Sequence, residues 1–295
     1  MTGDILRATI LGCGSSGGVP RLGGEDGAGA WGQCDPANPK NRRRRCAMLV
    51  ERIGAGGTTR VLVDAGADLR EQLLSARVGT VDAALITHEH ADHIHGLDDL
   101  RPIVINRRER LDVWADPDTG AALADRFAYV FEQPEGSPYP SIYNLRIHDG
   151  ALRVDGAGGM VEAVAHVVEH GPNFNARGFR FGGLGYTPDV SALGEDTAEK
   201  LAGLDVWIVD ALRWNPHPTH AHVDRALEWI AAIKPKRAIL TNLHNDLDYA
   251  ELAAYLPEGV EPAYDGMRIE LPAPDTQRKR PPRSGRPNRD TQNEP

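Results

Sequence analysis

The sequence predicts a layered α/β fold, because short apolar β-type runs alternate with amphipathic helical segments along most of its length. Two further observations support a folded body. Apolar residues make up 41% of 295, enough for a sizeable core, and turn-forming residues gather between the periodic runs. Length alone allows one large domain or two small ones.

The elements follow in order. VLVDAGAD (61–68) reads as a strand and its exit loop, and DLREQLLSA continues as a helix with Leu69 and Leu73 four apart. VDAALIT (81–87) is a second strand that runs straight into a histidine cluster. TGAALADRFAYVF (119–131) places Leu123, Phe127, Val130 and Phe131 on one helical face. VEAVAHVV (161–168), FRFGGLGYT (179–187) and the LDVWIVD run that ends at Asp210 read as strands. Val223, Leu227, Ile230 and Ala231 mark another amphipathic helix, and RAILT (237–241) is the strand after Pro235. Glycines, prolines and asparagines make 23–41 a loop.

Charge is unevenly spread. The segment Asp275–Pro295 holds six basic and three acidic residues, so of the net −9 it contributes +3 and the remainder carries −12. A body this acidic repels nucleic acid at long range, so a polynucleotide substrate is not expected without a local basic patch. From Asp275 onward no residue is apolar and Pro281, Pro282 and Pro287 are interspersed, so 275–295 is expected to be a disordered basic tail behind a domain of residues 1–274. The opening MTGDILRATILGCG carries Asp4 and Arg7 within its apolar run, unlike a signal peptide, and no stretch is long and apolar enough for a membrane span. With three cysteines (Cys13, Cys34, Cys46) and no sign of secretion, the cytoplasm is the expected compartment.

The chemistry gathers at His88-Glu89-His90-Ala91-Asp92-His93, directly after the strand 81–87. His88 and His90 are two apart, so an extended backbone points them the same way. Asp92 and His93 come as the chain turns and can face a second position. Imidazole and carboxylate suit zinc, manganese or iron, and four ligands in six residues are poorly explained as a solvated loop. A third histidine has two sources: His166 inside an apolar strand, and His170 at its loop edge, where sites gather. Asp64 follows its strand either as a carboxylate orienting a ligating imidazole or as a turn residue. The run Arg42 to Arg45 fits either a phosphate contact or a solvated strand edge. The glycine-rich Gly12–Gly18 segment lacks the lysine of a P-loop and reads as a tight loop near the site.

His88-x-His90-x-Asp92-His93 resembles the metal-binding motif of metallo-β-lactamase-fold hydrolases. LGCGSSGGVP (11–20), NRRRRCAMLV (41–50), VDAGADLREQLL (63–74), THEHADHIHGLDDLRP (87–102), YTPDV (186–190) and AYDGM (263–267) extend the resemblance to the branch that includes phosphoribosyl 1,2-cyclic phosphate phosphodiesterase. That resemblance implies a four-layer αββα sandwich and two divalent metal ions, zinc or manganese, per chain. It implies His88, His90, His170 and a bridging Asp189 on the first metal, and Asp92, His93, Asp189 and His244 on the second. It further implies that His220 protonates the leaving group and that Asp92 takes part in catalysis.

This sequence departs from its relatives at the last ligand. Their Thr-His-x-x-His is Thr241-Asn242-Leu243-His244-Asn245 here, and His244 is assigned because it keeps the parity of an extended chain. The relatives' cysteine cluster in the early loop is reduced to Cys34 and its partner position is Asn245, so no structural zinc is expected. The reaction expected is in-line hydrolysis of a small, cyclic phosphodiester such as phosphoribosyl 1,2-cyclic phosphate, with no membrane partner and a homodimer left open. The rivals are a tRNA 3′-end endonuclease, hydrolysis of a thioester, lactone or β-lactam, and a metal-free binding module.

Overall fold

The structure, a computed structural model, describes residues 3–275; apart from Asp275, the basic tail lies outside the described residues. The first sheet holds β1 (Ile5–Gly12), β2 (Ala47–Gly54), β3 (Gly57–Val63), β4 (Ala83–Leu85), β5 (Leu111–Ala115) and β6 (Tyr143–Ile147) side by side in chain order. The second holds β7 (Ala151–Val154), β8 (Val161–Glu169), β9 (Asn175–Phe181), β10 (Leu184–Thr187), β11 (Ala192–Leu193), β12 (Val206–Asp210), β13 (Arg237–Thr241) and β14 (Val260–Pro262). The chain then returns to the first sheet, where β15 (Arg268–Pro272) pairs antiparallel with β1.

Three apolar layers separate the elements into αββα. Alternation along the strands divides them: Val61 and Val63 face the core between the sheets, while Leu62 faces the helices outside. Likewise Val206 and Ile208 point inward, and Trp207 and Val209 outward. Helices α1 (Leu69–Ala76), α2 (Ala91–Ile94), α3 (Arg101–Arg107), α4 (Pro117–Arg126) and α5 (Ala128–Phe131) cover the first sheet through residues such as Leu69, Ile94, Ile103 and Leu123. Helices α6 (Glu195–Leu201), α7 (Val223–Ile233) and α8 (Tyr249–Tyr255) cover the second through Leu201, Val223 and Leu252. No helix among the described residues is long and apolar enough to cross a membrane.

Three elements differ from the sequence expectation. The helix expected over 119–131 is broken at Phe127, whose φ of −125° and ψ of 31° leave the helical region, although all four apolar side chains still reach the same core. The strand expected over 179–187 is a hairpin, β9 to β10, because Gly182 (φ 60°) and Gly183 form a two-residue turn between the paired Phe181 and Leu184. The strand over 81–87 is regular only across Ala83–Leu85.

Strand direction places the chemistry. β3 to β6 run parallel, as do β10, β12, β13 and β14, so their carboxyl ends collect along one rim of the sandwich. The glycine-rich loop leaves β1 at the same rim. A Cβ on Gly12 would stand 2.1 Å from the Arg45 carbonyl, so only glycine allows that approach. The arginine run is largely absorbed by packing. Arg45 forms a bidentate pair with Asp68, Arg44 pairs with Asp265, and Arg42 lies over the Trp31 ring. Arg43 is 1% exposed and donates to the carbonyls of His244 and Leu247 and to Asn41 Oδ1, tying the early loop to the segment after β13.

Candidate active site

Asp64 leaves β3, His88 follows β4, His170 follows β8, Asp189 follows β10, and Asp210 ends β12. Asp64 sits in the left-handed region (φ 65°), which aspartate tolerates better than most residues, and this turns its carboxylate onto the next strand end. It accepts from the Thr87 amide and hydroxyl and from His93 Nδ1 at 2.8 Å.

Three imidazoles converge. His90 Nδ1 lies 3.0 Å from His88 Nε2 and 3.2 Å from His170 Nε2. The far nitrogens are committed elsewhere: His170 Nδ1–H donates to the Thr219 carbonyl at 2.7 Å, and His88 Nδ1 bonds the Thr87 hydroxyl at 2.9 Å. That relay fixes the tautomers so that both Nε2 lone pairs face the common point. Phe174 stacks flat on the exposed His90 ring, 4.8 Å between centroids. Burial keeps His88 and His170 neutral, with their pKa values below the usual histidine range.

Asp189 stands between this trio and a second group. Its Oδ2 is 3.5 Å from His170 Nε2 and 3.9 Å from His88 Nε2, while its Oδ1 is 3.2 Å from His93 Nε2. His93 Nε2 is also 3.4 Å from Asp92 Oδ2. Burial disfavours charge on His93, but the carboxylates of Asp189, Asp64 and Asp92 outweigh it and raise its pKa. Burial likewise opposes the Asp189 carboxylate, and the neighbouring imidazoles, His93 foremost, keep it ionised.

These residues fit a cation. Asp189 Oδ1 is buried without a hydrogen-bond partner, and a proton on His90 could satisfy only one of its two imidazole contacts. Nitrogen and carboxylate donors at this spacing suit zinc or manganese. Each of the trios His88–His90–His170, His88–His93–Asp189 and His170–Asp189–His220 brings ligand atoms within 4.8 Å of one another.

His220 reaches the rim of the cluster, its Nδ1 3.8 Å from Asp189 Oδ2 and 2.9 Å from Asp210 Oδ2. Burial works against its charge, but the Asp210 carboxylate outweighs it and raises the imidazole to about 9. Asp210 was missed from sequence. The available signal was an acid closing the apolar run LDVWIVD at the rim where Asp64 and Asp189 also sit. Phe174, and the Thr219 carbonyl that orients His170, carried no signal at all.

Two of the histidines considered as ligands from the sequence stay outside. His166 is buried on β8 and bonds the Thr187 hydroxyl at 3.0 Å. His244, expected on the second metal, is not brought to the cluster: its Nδ1 bonds Asp246 Oδ1 at 2.6 Å and its Nε2 accepts from Arg21 Nη1 at 3.0 Å. The parity argument for it fails because the chain leaves β13 through Asn242 in the left-handed region (φ 62°), which ends the extended alternation. Asn242 itself donates to the Pro188 carbonyl and lies 3.1 Å from His220 Nδ1.

Known proteins resemble this chain. A profile of the Beta-lactamase superfamily domain matches residues 59–242. The crystal structure of a new diphosphatase from the PhnP family is similar at 33% identity, covering 90% of this chain and 97% of that one, with a TM-score of 0.79. An octanoyltransferase of Porphyromonas gingivalis is 29% identical over 266 residues, 89% of this chain and 51% of that protein. A ribonuclease Z of Natronomonas pharaonis is 31% identical over 122 residues, 40% of this chain and 37% of its own length. The chain therefore spans about half the length, or less, of these two curated relatives. With the profile covering most of the chain and the site at the rim of an αββα sandwich, the protein belongs to the beta-lactamase superfamily of metal-dependent hydrolases and, within it, to the PhnP family.

Proposed function

We propose that this protein hydrolyses a small phosphodiester, phosphoribosyl 1,2-cyclic phosphate being the leading substrate, with two divalent cations at the rim site. The observation that carries the reading is the His220–Asp210 pair beside the ligand cluster, a protonated imidazole next to carboxylate and imidazole donors. His88, His90, His170 and Asp189 would hold one cation, and Asp92, His93 and Asp189 the other. Bound cations of this kind supply positive charge to the phosphoryl oxygens and lower the pKa of the attacking water.

The chain's own residues do the rest. Thr87, Asp64 and the Thr219 carbonyl orient the imidazoles, so the ligand set is held before substrate arrives. Departure of an alkoxide requires a proton, and His220 carries one at Nε2 once Nδ1–H is committed to Asp210. The test is turnover of phosphoribosyl 1,2-cyclic phosphate by metal-loaded protein. Efficient cleavage supports substrate and chemistry together. Hydrolysis of bis(4-nitrophenyl) phosphate without it keeps the chemistry and discards the substrate.

The match to a diphosphatase favours a second reading, cleavage of a P–O–P bond by the same groups. Release of AMP from a dinucleoside diphosphate, at a rate above that on the cyclic ester, would select it.

A further inference from the structure

His244 is the one expected ligand that the structure turns away, and what it does instead is specific. Its Nδ1–H donates to Asp246 Oδ1 at 2.6 Å, which leaves the Nε2 lone pair to accept from Arg21 Nη1 at 3.0 Å. Asp246 and His244 thus hold a guanidinium in place, at an exposed position where no other side-chain hydrogen bond to it is seen among the described residues. The backbone of Arg21 is tied too, exchanging both amide hydrogen bonds with Ala30. Its Nε would stand 2.6 Å from a Cβ on Gly17, so the glycine-rich loop leaves the groove in which this side chain lies. Among the described residues no carboxylate pairs with Arg21, whereas Arg44 and Arg45 nearby are each neutralised by an aspartate.

The position of this arginine connects to the site through the chain. His244 lies two residues past Asn242, whose side chain touches His220. The His217 ring is 5.3 Å from His220. Imidazole and amide side chains therefore lead from the proton donor toward a guanidinium for which, among the described residues, only Nη1 has a hydrogen-bond partner. In a chain whose body is strongly acidic, a held cation with no carboxylate paired to it among the described residues, linked through His244 to the segment whose Asn242 touches His220, points to an anionic part of the substrate.

We propose that Arg21 binds a second phosphate of the substrate, distal to the one hydrolysed, and that His244 and Asp246 are positioning residues for it. The proposal rests on the phosphoryl-hydrolase reading. It holds for either candidate bond, since both a phosphoribosyl cyclic ester and a diphosphate carry a second phosphate.

The experiment compares ADP with AMP as ligands of the metal-loaded full chain, by inhibition of bis(4-nitrophenyl) phosphate hydrolysis and by calorimetry. The wild-type protein is expected to bind ADP at least tenfold more tightly than AMP. Arg21→Gln should shrink that preference to within about twofold, and His244→Gln and Asp246→Asn should reduce it partway. Each variant should retain the wild-type metal content by mass spectrometry. An ADP preference that survives Arg21→Gln, or a wild-type protein that does not discriminate, overturns the proposal. Loss of a metal equivalent in His244→Gln also overturns it, by returning that histidine to the metal. Absence of phosphodiester turnover would instead count against the underlying reading, and the calorimetric comparison would still decide the role of Arg21.

Discussion

Asp210 Oδ2 accepts from His220 Nδ1–H across 2.9 Å, with the carboxylate wholly buried and the imidazole open to the rim. The carboxylate fixes which nitrogen faces substrate and stabilises the imidazolium. Asp210→Asn should therefore lower kcat by about tenfold to hundredfold while metal content stays unchanged. Steady-state kinetics beside metal analysis checks it, and a variant with normal kcat would remove the pair from catalysis.

His220→Ala should lower kcat by about 10² to 10⁴ on an alkyl leaving group. The loss should be much smaller on bis(4-nitrophenyl) phosphate, because nitrophenolate leaves without a proton. An equal loss on both substrates would mean that His220 binds rather than protonates.

Asp189 is the residue common to the two groups, one oxygen toward His88 and His170 and the other toward His93. Asp189→Ala should lose metal and activity together, and chelation of the wild-type protein should reproduce that state, with activity returning on metal addition. His166→Ala should keep its metal, since that ring bonds Thr187 instead. Inductively coupled plasma mass spectrometry on both variants separates these outcomes.

Asp64 orients His93 directly and His88 through Thr87. Asp64→Ala should weaken metal binding by about tenfold to hundredfold without removing any ligand. Titration with a competing chelator measures this, and unchanged affinity would make Asp64 a purely structural strand-end residue.

Arg43 joins the early loop to the segment after β13 through a buried guanidinium. Arg43→Met leaves two buried carbonyls and an amide oxygen without that donor, at a cost of about 2–4 kcal/mol. A fall in Tm of several degrees is expected by thermal unfolding, and an unchanged Tm would show that water replaces the guanidinium.

Much of this protein is legible in the chain because its signals are local. Strand alternation and helical periodicity are short-range patterns, so β8, α7 and β13 read correctly from their own residues. The hexamer His88 to His93 is local too, its spacing set by a strand end running into a helix start. Turn geometry is where pattern reading slips. One strand became a hairpin through the φ of Gly182, and one helix broke at Phe127.

Only the tertiary structure decided which distant groups meet. His170 over His166, the pairing of Asp210 with His220, and the loss of His244 to Arg21 and Asp246 join residues up to 223 positions apart. Such meetings depend on strand direction and on single backbone angles, above all that of Asn242. Residue type and local spacing determine what chemistry a segment can offer, whereas the crossing of two sheets determines where each lone pair points.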